Sequence, residues 1–250
     1  MTRTPAISIC MASYNGAEFI HAQIASILDQ LGASDELVIS DDGSSDATEQ
    51  ISETFADTRM RLLKNTGQKG PVSNFENALR HARHDVLVLA DQDDLWLPNK
   101  LAEVRSRFAH PPHPVFVVVF DATVIDASGA VIYPSLLEHL QAGPGLLRNL
   151  YANTFVGCCM AFSRGALELA LPIPRQVSMH DVWIGMLALV FGRVEFATVK
   201  TMQYRRHGAN ATSLRREFKP LRQVVRRVAL GVLLSQRVWA RRNQLRQRAG

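Results

Sequence analysis

The sequence predicts an α/β domain with a mostly parallel central sheet and helices on both faces. Short apolar runs alternate with segments in which apolar residues recur at helical spacing, and this alternation of strand and helix is typical of parallel sheets. The run at 86–90 is apolar at every position, as expected of a central strand that is covered on both faces. A doubly wound, Rossmann-like sheet is therefore the predicted framework of the chain.

The predicted elements follow one another in order through the first hundred residues. Gly32 ends the first helix, and Ser45 or Asp46 caps the second. The strands are predicted at 6–12, 37–40, 60–63 and 86–90, and the helices at 18–31, from 45 or 46 to about 55, and from 73 or 74 to about 84.

The second half is less regular and ends in a change of composition. Strands are predicted at 115–120, 123–125, 154–162, 194–199 and 202–205, a turn at 126–129 and a helix at 181–191. Residues 1–214 hold 17 Lys and Arg against 22 Asp and Glu, whereas residues 215–250 hold 11 against one. We therefore expect two units, a domain at 1–214 and a basic amphipathic helical tail at 215–250.

The tail carries an apolar stripe at helical spacing, with arginines around it. The stripe consists of Leu214, Phe218, Leu221, Val225, Val228 and Val232. A basic amphipathic helix is suited to an anionic membrane surface. Packing on the rest of the chain, a dimer contact and a nucleic-acid arm remain open as alternatives.

Cysteine usage and hydropathy indicate a cytoplasmic protein. The three cysteines are an odd number and two of them are adjacent, which suits neither a disulfide framework nor a spaced zinc site. A reducing compartment is the simpler interpretation. The first residues lack the pattern of a signal peptide, and no apolar run reaches the ~18 residues needed to span a bilayer. If the tail binds lipid, the protein would be peripheral on the inner face of the plasma membrane.

Polar loops follow three of the predicted strands, at 13–15, 41–44 and 91–94. Because ligands of open parallel sheets bind outside the carboxyl ends of the strands, these loops are expected on one rim. The loop Asp91-Gln92-Asp93-Asp94 places three carboxylates in four residues, and a divalent cation would offset their repulsion. Taken alone, an acidic turn is more often a helix cap or solvated surface.

The second acidic turn, Asp41-Asp42-Gly43-Ser44, has two compatible interpretations. A carboxylate at a strand end can accept hydrogen bonds from a nucleobase or a ribose. Equally, Gly43 can adopt a positive φ while Ser44 or Ser45 caps a helix. The sequence has neither Gly-x-Gly-x-x-Gly nor Gly-Lys-Ser/Thr, so the dinucleotide-binding and P-loop classes lose their main support.

Three ordered segments, at 8–16, 38–46 and 89–96, resemble the motifs of family 2 glycosyltransferases. The resemblance implies the GT-A fold and the transfer of a sugar from a nucleotide-diphosphate sugar, with inversion at the anomeric carbon. Residues 91–100 together with His180-Asp181 further resemble bacterial rhamnosyltransferases, which implies dTDP-L-rhamnose as the donor.

The resemblance also implies a role for each polar loop. Asp93 would ligate Mg²⁺ or Mn²⁺ at the diphosphate, and Asp91 with Gln92 would lie near the ribose or the sugar. The metal would neutralise the charge that develops on the leaving nucleoside diphosphate. The residues implied to contact the nucleoside are Ala12, Ser13, Tyr14, Asn15 and Asp42. Lys64, Asn65, Lys69 and Asn74 are weaker candidates for donor contacts, since a solvated loop explains them nearly as well.

Inversion by a single displacement needs a base opposite the leaving group. Asp181, in the pair His180-Asp181, matches the base of the family. It stands at the start of a predicted helix, where the helix dipole favours the ionised form while burial would raise the pKa. A plain helix N-cap is the structural alternative. His180 is a candidate second base, acceptor contact or packed histidine.

Two later segments complete the implied site. Residues 153–160 resemble the segment before the acceptor site, where Gly157 and the small Cys158 let a sugar approach the backbone, although a buried strand with a glycine bulge explains them too. Residues 204–210 match a late motif in which His207 would add a metal ligand or contact the diphosphate, and Arg205 or Arg206 would neutralise phosphate charge. A surface loop with incidental charge is the alternative.

We therefore predict a metal-dependent, inverting glycosyltransferase of cell-surface polysaccharide synthesis, acting on a saccharide or a lipid-linked saccharide. A UDP-hexose-dependent transferase uses the same scaffold, and a nucleotidyltransferase also joins metal-binding carboxylates to an α/β sheet. The latter would need a basic, glycine-rich loop where this chain has Ser13-Tyr14-Asn15-Gly16. Nucleic-acid binding through the tail would depend strongly on salt, but the acidic body offers no surface for it.

Overall fold

The computed structural model describes residues 4–207 and 220–249. The first part alternates strand and helix: β1 Ile7–Ser13, α1 Ile20–Leu28, β2 Glu36–Asp41, α2 Thr48–Glu53, β3 Met60–Lys64, α3 Pro71–His81 and β4 Val86–Asp91. The second part consists of β5 Leu95–Trp96, α4 Lys100–Phe108, β6 Phe116–Asp126, β7 Val131–Tyr133, α5 Leu136–His139, α6 Leu146–Tyr151, a 3₁₀ turn Gly157–Cys159, β8 Met160–Ser163, α7 Arg164–Ala170, α8 His180–Phe191, β9 Arg193–Arg206 and α9 Pro220–Ala249.

In the described residues the strands form one sheet, in the order β3-β2-β1-β4-β8-β6-β9-β5, with β7 also paired to β6. The four strands β3, β2, β1 and β4 are parallel to one another. Strand β8 runs antiparallel to both of its neighbours, β4 and β6, whereas β6 and β9 are parallel to each other. The α/β prediction is confirmed, and the sheet is mixed in its second half.

The centre of the sheet is apolar and fixes the direction of the polar loops. Residues 86–90 of β4 are all buried, as are residues 7–11 of β1 and 37–39 of β2. Because these three strands are parallel and in register, the residues that follow them emerge at the same edge. The apolar runs therefore supply the core and also position the candidate site.

The predicted strand at 154–162 is wrong in its first half, because Gly157–Cys159 form a 3₁₀ turn and only Met160–Ser163 are strand. The turn bends the backbone so that the Gly157 N–H donates to Asp181 Oδ2 at 3.0 Å. A Cβ at residue 157 would lie 3.1 Å from Nε2 of His180. A contact with α8, rather than local preference, stops the strand at this point.

Smaller differences also have local causes. The pairs of strands predicted at 115–125 and 194–205 are each a single long strand, with a shift of register around Asp121. Helix α3 begins at Pro71 and not at Ser73, because a proline in the first helical turn needs no hydrogen-bonded N–H. The N-cap of α2 is Ala47, without a side-chain cap hydrogen bond, so the cap predicted at Ser45 or Asp46 is wrong by one or two residues. The Asp46 carboxylate accepts the Thr48 N–H in the turn that precedes the helix.

Residues 220–249 of the tail are helical, and this helix packs on the domain through a face that the sequence did not indicate. Leu234 is buried, and Arg237 donates to the carbonyl oxygens of Leu169 and Leu171, each at 2.8 Å, at the end of α7. Val228 and Val232 of the predicted stripe are exposed, as is Val225. Leu214, Phe218 and the predicted boundary near 214 lie outside the described residues. Among the described helices, none is long and apolar enough to cross a bilayer.

Candidate active site

A cleft of about 540 Å³ opens at the carboxyl edge of β1, β2 and β4. The polar loops after these strands form one wall, and the start of α3, the 3₁₀ turn and the start of α8 form the other. Its lining residues are Ala12, Ser13, Tyr14, Asp42, Lys69, Gly70, Pro71, Asn74, Phe75, Asp91, Gln92, Asp93, Val156, Gly157, Met179, His180, Asp181 and Tyr204. The convergence expected from the sheet direction is therefore present.

Asp42 lies at the end of the cleft nearest β2 and is held by the loop before α3. Its Oδ1 accepts a hydrogen bond from Asn65 Nδ2 and its Oδ2 one from the Gly70 N–H, both at 2.7 Å. Gly43 has a φ of +80°, as its turn requires. Each Asp42 oxygen keeps a further lone pair, so the side chain is oriented and can still accept from a ligand.

Gln92 joins the loop after β4 to the loop after β1. Its Nε2 donates to the Tyr14 carbonyl and its Oε1 accepts the Tyr14 N–H, both at 2.9 Å. A Cβ added at Gly16 would overlap the Gln92 carboxamide. Gln92 thus fixes the backbone of Tyr14, whose ring is exposed at the cleft.

In residues 91–94, the acidic loop, burial and neighbouring carboxylates raise the pKa of Asp91 and of Asp94. Burial, followed by the neighbouring carboxylates of Asp93 and Asp181, raises the pKa of Asp91 to about 7. Burial also raises the pKa of Asp94, whose Oδ1 accepts the Arg205 N–H at 3.0 Å. A divalent cation in contact with this loop would remove the mutual repulsion of the carboxylates.

Asp93 and His207 form a pair of suitable metal donors. The His207 Nε2 and Asp93 Oδ2 atoms are 2.8 Å apart, and both donor types are accepted by Mn²⁺, with carboxylate preferred by Mg²⁺. The residues present therefore fit a divalent cation beside Asp93. A second cluster joins the carboxylates of Asp91 and Asp94 to Cys158 Sγ, all within 4.8 Å of one another, but Cys158 is buried outside the cleft lining.

Asp181 faces the acidic loop from the first turn of α8. Its Oδ2 accepts the Gly157 N–H at 3.0 Å and its Oδ1 accepts the Val182 N–H at 2.6 Å. Burial raises the pKa of Asp181 to about 6, against the opposing effect of these two hydrogen bonds. The carboxylate is thus ionised near neutral pH and is a stronger proton acceptor than an exposed aspartate.

His180 lines the cleft next to Asp181, but its side chain is not suited to accept a proton at neutral pH. Its ring stacks on Phe75, with 4.0 Å between the ring centroids, and neither ring nitrogen has a hydrogen-bond partner in the described part of the chain. Burial lowers the pKa of His180 to about 3, so the ring is neutral at physiological pH. Its nitrogens are available to a hydroxyl group of a ligand.

The structure brings most of the predicted site residues into this cleft and leaves four outside its lining. Asn15 instead accepts the Ser45 N–H and ties two loops together. Arg205 donates to the Asp93 carbonyl at 3.1 Å, so it supports the acidic loop from behind. Cys158 is buried within the 3₁₀ turn, and His207 lies outside the lining and contacts Asp93. Because Cys158 and Arg205 do not line the cleft, their roles at the acceptor and at the phosphate stay predictions.

Several lining residues were not predicted. Phe75 and Met179 are residues that the sequence presents as ordinary core positions, and Tyr204 belongs to the late motif at 204–210 but had no predicted role. Of the four weaker candidates, Lys69 and Asn74 line the cleft. Asn65 instead donates to Asp42 and Lys64 pairs with Glu49. The polar residues Ser73 and Asn74 at the predicted start of α3 indicated a possible contact with a ligand. They pointed to Asn74, whereas nothing in the sequence marked the adjacent Phe75 as a residue of the cleft.

The mixed α/β sheet with its helices has the GT-A fold. Residues 8–169 match the sequence model of Glycosyl transferase family 2, and the chain therefore belongs to this family.

Individual relatives agree with this assignment. The chain is 41% identical over 95 residues to the Escherichia coli UDP-Glc:alpha-D-GlcNAc-diphosphoundecaprenol beta-1,3-glucosyltransferase WfgD, an alignment that covers 38% of either chain. It is 28% identical over 223 residues to a glycosyltransferase of Nostoc sp., which covers 82% of this chain and 66% of the relative.

Solved structures show the same fold. The chain resembles S. aureus TarS 1-349 in complex with UDP-GlcNAc, with a TM-score of 0.66, 17% identity and coverage of 84% of this chain and 62% of TarS. It also resembles the mannosyltransferase PcManGT from Pyrobaculum calidifontis in complex with GDP-Man and Mn2+, with a TM-score of 0.62, 22% identity and coverage of 92% and 65%. The chain thus spans less than two thirds of these structures and of WfgD.

Proposed function

We propose that the protein transfers a sugar from a nucleotide-diphosphate sugar to a saccharide or lipid-linked saccharide, with inversion at the anomeric carbon, in cell-surface polysaccharide synthesis. The observation that carries this proposal is the pairing, across one cleft, of the acidic loop with a single buried carboxylate, Asp181. One base facing one leaving-group site suits a single displacement, and a single displacement inverts the reacting carbon. The nucleotidyltransferase alternative is not carried forward, because the chain belongs to a glycosyltransferase family.

The residues divide the chemistry between the two walls of the cleft. Asp93 and His207 would hold Mg²⁺ or Mn²⁺, which would neutralise the charge of the departing nucleoside diphosphate. Asp42, with the backbone of Ser13 and Tyr14, binds the nucleoside end. Asp181 accepts the proton of the acceptor hydroxyl, and its burial keeps competing water away from that proton.

Two donor classes follow from different observations. The resemblance of the acidic loop and of His180-Asp181 to rhamnosyltransferases favours dTDP-L-rhamnose. The similarity to WfgD, whose name specifies UDP-glucose, favours a UDP-hexose. Both donors present a pyrimidine base, a ribose-type sugar and a diphosphate, so the cleft as described accommodates the shared part of either.

Donor binding measured by calorimetry tests the proposal. The titrants are dTDP-L-rhamnose, UDP-glucose, UDP-galactose and UDP-N-acetylglucosamine, each with Mn²⁺ and with EDTA. We expect one donor to bind in the presence of metal and to bind more weakly in its absence. Folded protein that binds none of these donors and releases no nucleoside diphosphate from them would count against the proposed function.

We further propose that α9 holds the enzyme at an anionic membrane surface, where a lipid-linked acceptor would lie. Val225, Val228, Val232 and Trp239 are exposed, and residues 215–250 carry ten more basic than acidic side chains. The exposed Tyr151 of α6 extends the apolar surface, since the Arg227 guanidinium lies 4.4 Å from its ring centroid. Apolar insertion combined with basic charge is the pattern of interfacial helices.

Substitution of the exposed valines is expected to weaken membrane binding. Val228→Glu and Val232→Glu together should lower binding to vesicles of phosphatidylglycerol and phosphatidylcholine by about tenfold or more, because each removes apolar contact and adds like charge to the lipid. Val131→Glu on β7 is the matched control, since Val131 and Val228 are both 61% exposed. Equal vesicle cosedimentation of wild type, the double variant and the control would contradict the membrane proposal.

A further inference from the structure

Lys100, the first residue of α4, is completely buried. Its Nζ donates to the Cys158 carbonyl at 2.7 Å, lies 3.2 Å from Met202 Sδ and stands 4.5 Å from the centroid of the Trp96 ring. Lysine is among the residues least often buried, because removing an ammonium group from water is costly. A lysine retained in such a place calls for a specific partner, and the hydrogen-bonded partner here is the Cys158 backbone.

The Cys158 carbonyl belongs to the turn that holds Asp181. Cys158 is the central residue of the 3₁₀ turn Gly157–Cys159, and the Gly157 N–H donates to Asp181 Oδ2 at 3.0 Å. The Cys159 N–H closes the turn on the Val156 carbonyl at 3.0 Å. Lys100 therefore fixes one side of a short turn whose other side binds the carboxylate.

The other contacts of the turn are made by its own small residues, and Cys158 Sγ lies within 4.8 Å of the Asp91 and Asp94 carboxylates. Gly157 has no side chain to anchor it, and the side chains of Cys158 and Cys159 are small. Cys159 Sγ contacts Met202 Sδ only at 3.9 Å. The hydrogen bond from Lys100 Nζ to the Cys158 carbonyl, at 2.7 Å, is the shorter of these contacts, and an ionised donor makes such a bond about twice as strong as a neutral one.

Lys100 is also close to the carboxylates of Asp91 and Asp94, for which it can act as a countercharge. This electrostatic role is distinct from its hydrogen bond to the Gly157–Cys159 turn. Burial raises the pKa of Asp91, and the positive charge of Lys100 acts in the opposite direction. Asp94 Oδ2 is buried and has no hydrogen-bond partner in the described residues. Loss of the ammonium group would remove a buried countercharge from this pair of carboxylates.

We propose that Lys100 is a positioning residue for the catalytic base: it holds the Gly157–Cys159 turn in the conformation that orients Asp181 toward the acceptor. This inference rests on the proposed function in taking Asp181 as the base. It assigns to Lys100 an effect on turnover that is separate from donor binding and from the charge balance of the acidic loop.

Three variants separate these effects: Lys100→Met, Lys100→Met with Asp94→Asn, and Val104→Ala. Methionine keeps most of the buried volume and removes the ammonium group. The second variant also removes the uncompensated charge at position 94, while the carboxamide oxygen introduced there can still accept the Arg205 N–H that Asp94 Oδ1 accepts in the wild type. Val104→Ala is the control for a general loss of packing, because Val104 is a fully buried residue of α4 whose side chain lies in the core cluster.

Two readouts are needed, one of which does not require a substrate. Amide hydrogen exchange of Gly157 and Cys159 is expected to become faster in both Lys100 variants, relative to other protected amides, and to be unchanged in Val104→Ala at temperatures equally far below each Tm. With the donor identified by calorimetry, kcat should fall about 10–100-fold in both Lys100 variants, with the donor KM within about twofold, since small misplacements of a reacting group have effects of this size.

The outcomes are distinct. Restoration of kcat in the double variant, together with its Tm, would show that Lys100 serves only as a countercharge and would overturn the proposal. Exchange at Gly157 that matches wild type in Lys100→Met would also overturn it. Wild-type protein that turns over no donor would count against the proposed function, whereas the exchange experiment would still decide whether Lys100 holds the turn.

Discussion

Asp181→Asn is expected to lower kcat about 10²–10⁴-fold, the usual contribution of a general base, while the donor affinity stays close to that of wild type. The carboxylate lies at the cleft wall opposite Asp93 and is oriented by two backbone N–H groups. Asparagine keeps the size of the side chain but cannot take up a proton at neutral pH. Steady-state kinetics together with calorimetry of the donor separate the loss of turnover from a loss of binding.

The pH dependence of the wild-type enzyme provides an independent check on Asp181. Burial raises its pKa from 3.8 to about 6, and only the ionised form accepts the acceptor proton. We therefore expect kcat/KM to be maximal above about pH 7 and to decrease as the pH falls through about 6. The residual activity of Asp181→Asn should lack this acidic limb. Retention of wild-type turnover by the variant, or of the same acidic limb, would assign the base elsewhere.

The raised pKa of Asp181 also affects the stability of the folded protein. A carboxyl group whose pKa is higher in the folded than in the unfolded state binds protons more readily when folded. Between about pH 4 and pH 6 the ionisation of Asp181 thus becomes a cost to the fold as the pH rises, and that cost persists at neutral pH. The site is maintained at the expense of stability, as is common for catalytic groups.

The location of the cleft could be predicted from the sequence because it depends on strand direction. Parallel strands formed by buried apolar runs must end at one edge, so Ser13, Asp42 and Asp91 were expected together from the sequence alone. The loops themselves are short, which leaves little freedom in where their polar residues lie. Local sequence therefore suffices for this wall of the cleft.

The opposite wall depends on contacts between distant segments. Residues 154–162 have the composition of a buried strand, and only the hydrogen bond between Gly157 and Asp181 explains why the first half turns. Phe75 is similar, because its role as a platform for His180 depends on how α3 meets α8. Lys100 belongs to the segment 91–100 that resembles rhamnosyltransferases, but the sequence predicted no role for its side chain, since a lysine at a helix start is usually solvated.

The sequence pattern of the tail did not predict which face of helix α9 contacts the domain. Apolar periodicity correctly indicated a helix, but it did not indicate which face would pack on the domain. Arg237, a charged residue outside the stripe, makes the docking contacts, because the carbonyl groups at the end of α7 are acceptors that a guanidinium can satisfy. Val225, Val228 and Val232 of the stripe are left exposed, and this exposure is the basis of the membrane proposal.

Asp93→Ala is expected to abolish the effect of Mn²⁺ on donor binding and to lower kcat/KM about 10²–10³-fold or more, as for the loss of one group that stabilises developing charge. Asp93 supplies a carboxylate at the cleft, and His207 Nε2 lies 2.8 Å from its Oδ2. Without Asp93, the imidazole alone is a weak ligand for Mg²⁺ or Mn²⁺. Calorimetric titration of the donor with and without Mn²⁺ measures the effect directly.

Removal of the metal by EDTA and removal of the metal-binding carboxylate of Asp93 should weaken donor binding equally. Wild-type protein in EDTA is expected to bind the donor as weakly as Asp93→Ala does in Mn²⁺, and EDTA should have little further effect on the variant. Asp29→Ala, which removes an equal charge from an exposed position at the end of α1, controls for the change in net charge. If Asp93→Ala kept its response to Mn²⁺, the cation would have to be held by other carboxylates of the acidic loop. Asp91 would then be the next candidate, since its raised pKa marks it as a carboxylate that a cation would stabilise strongly.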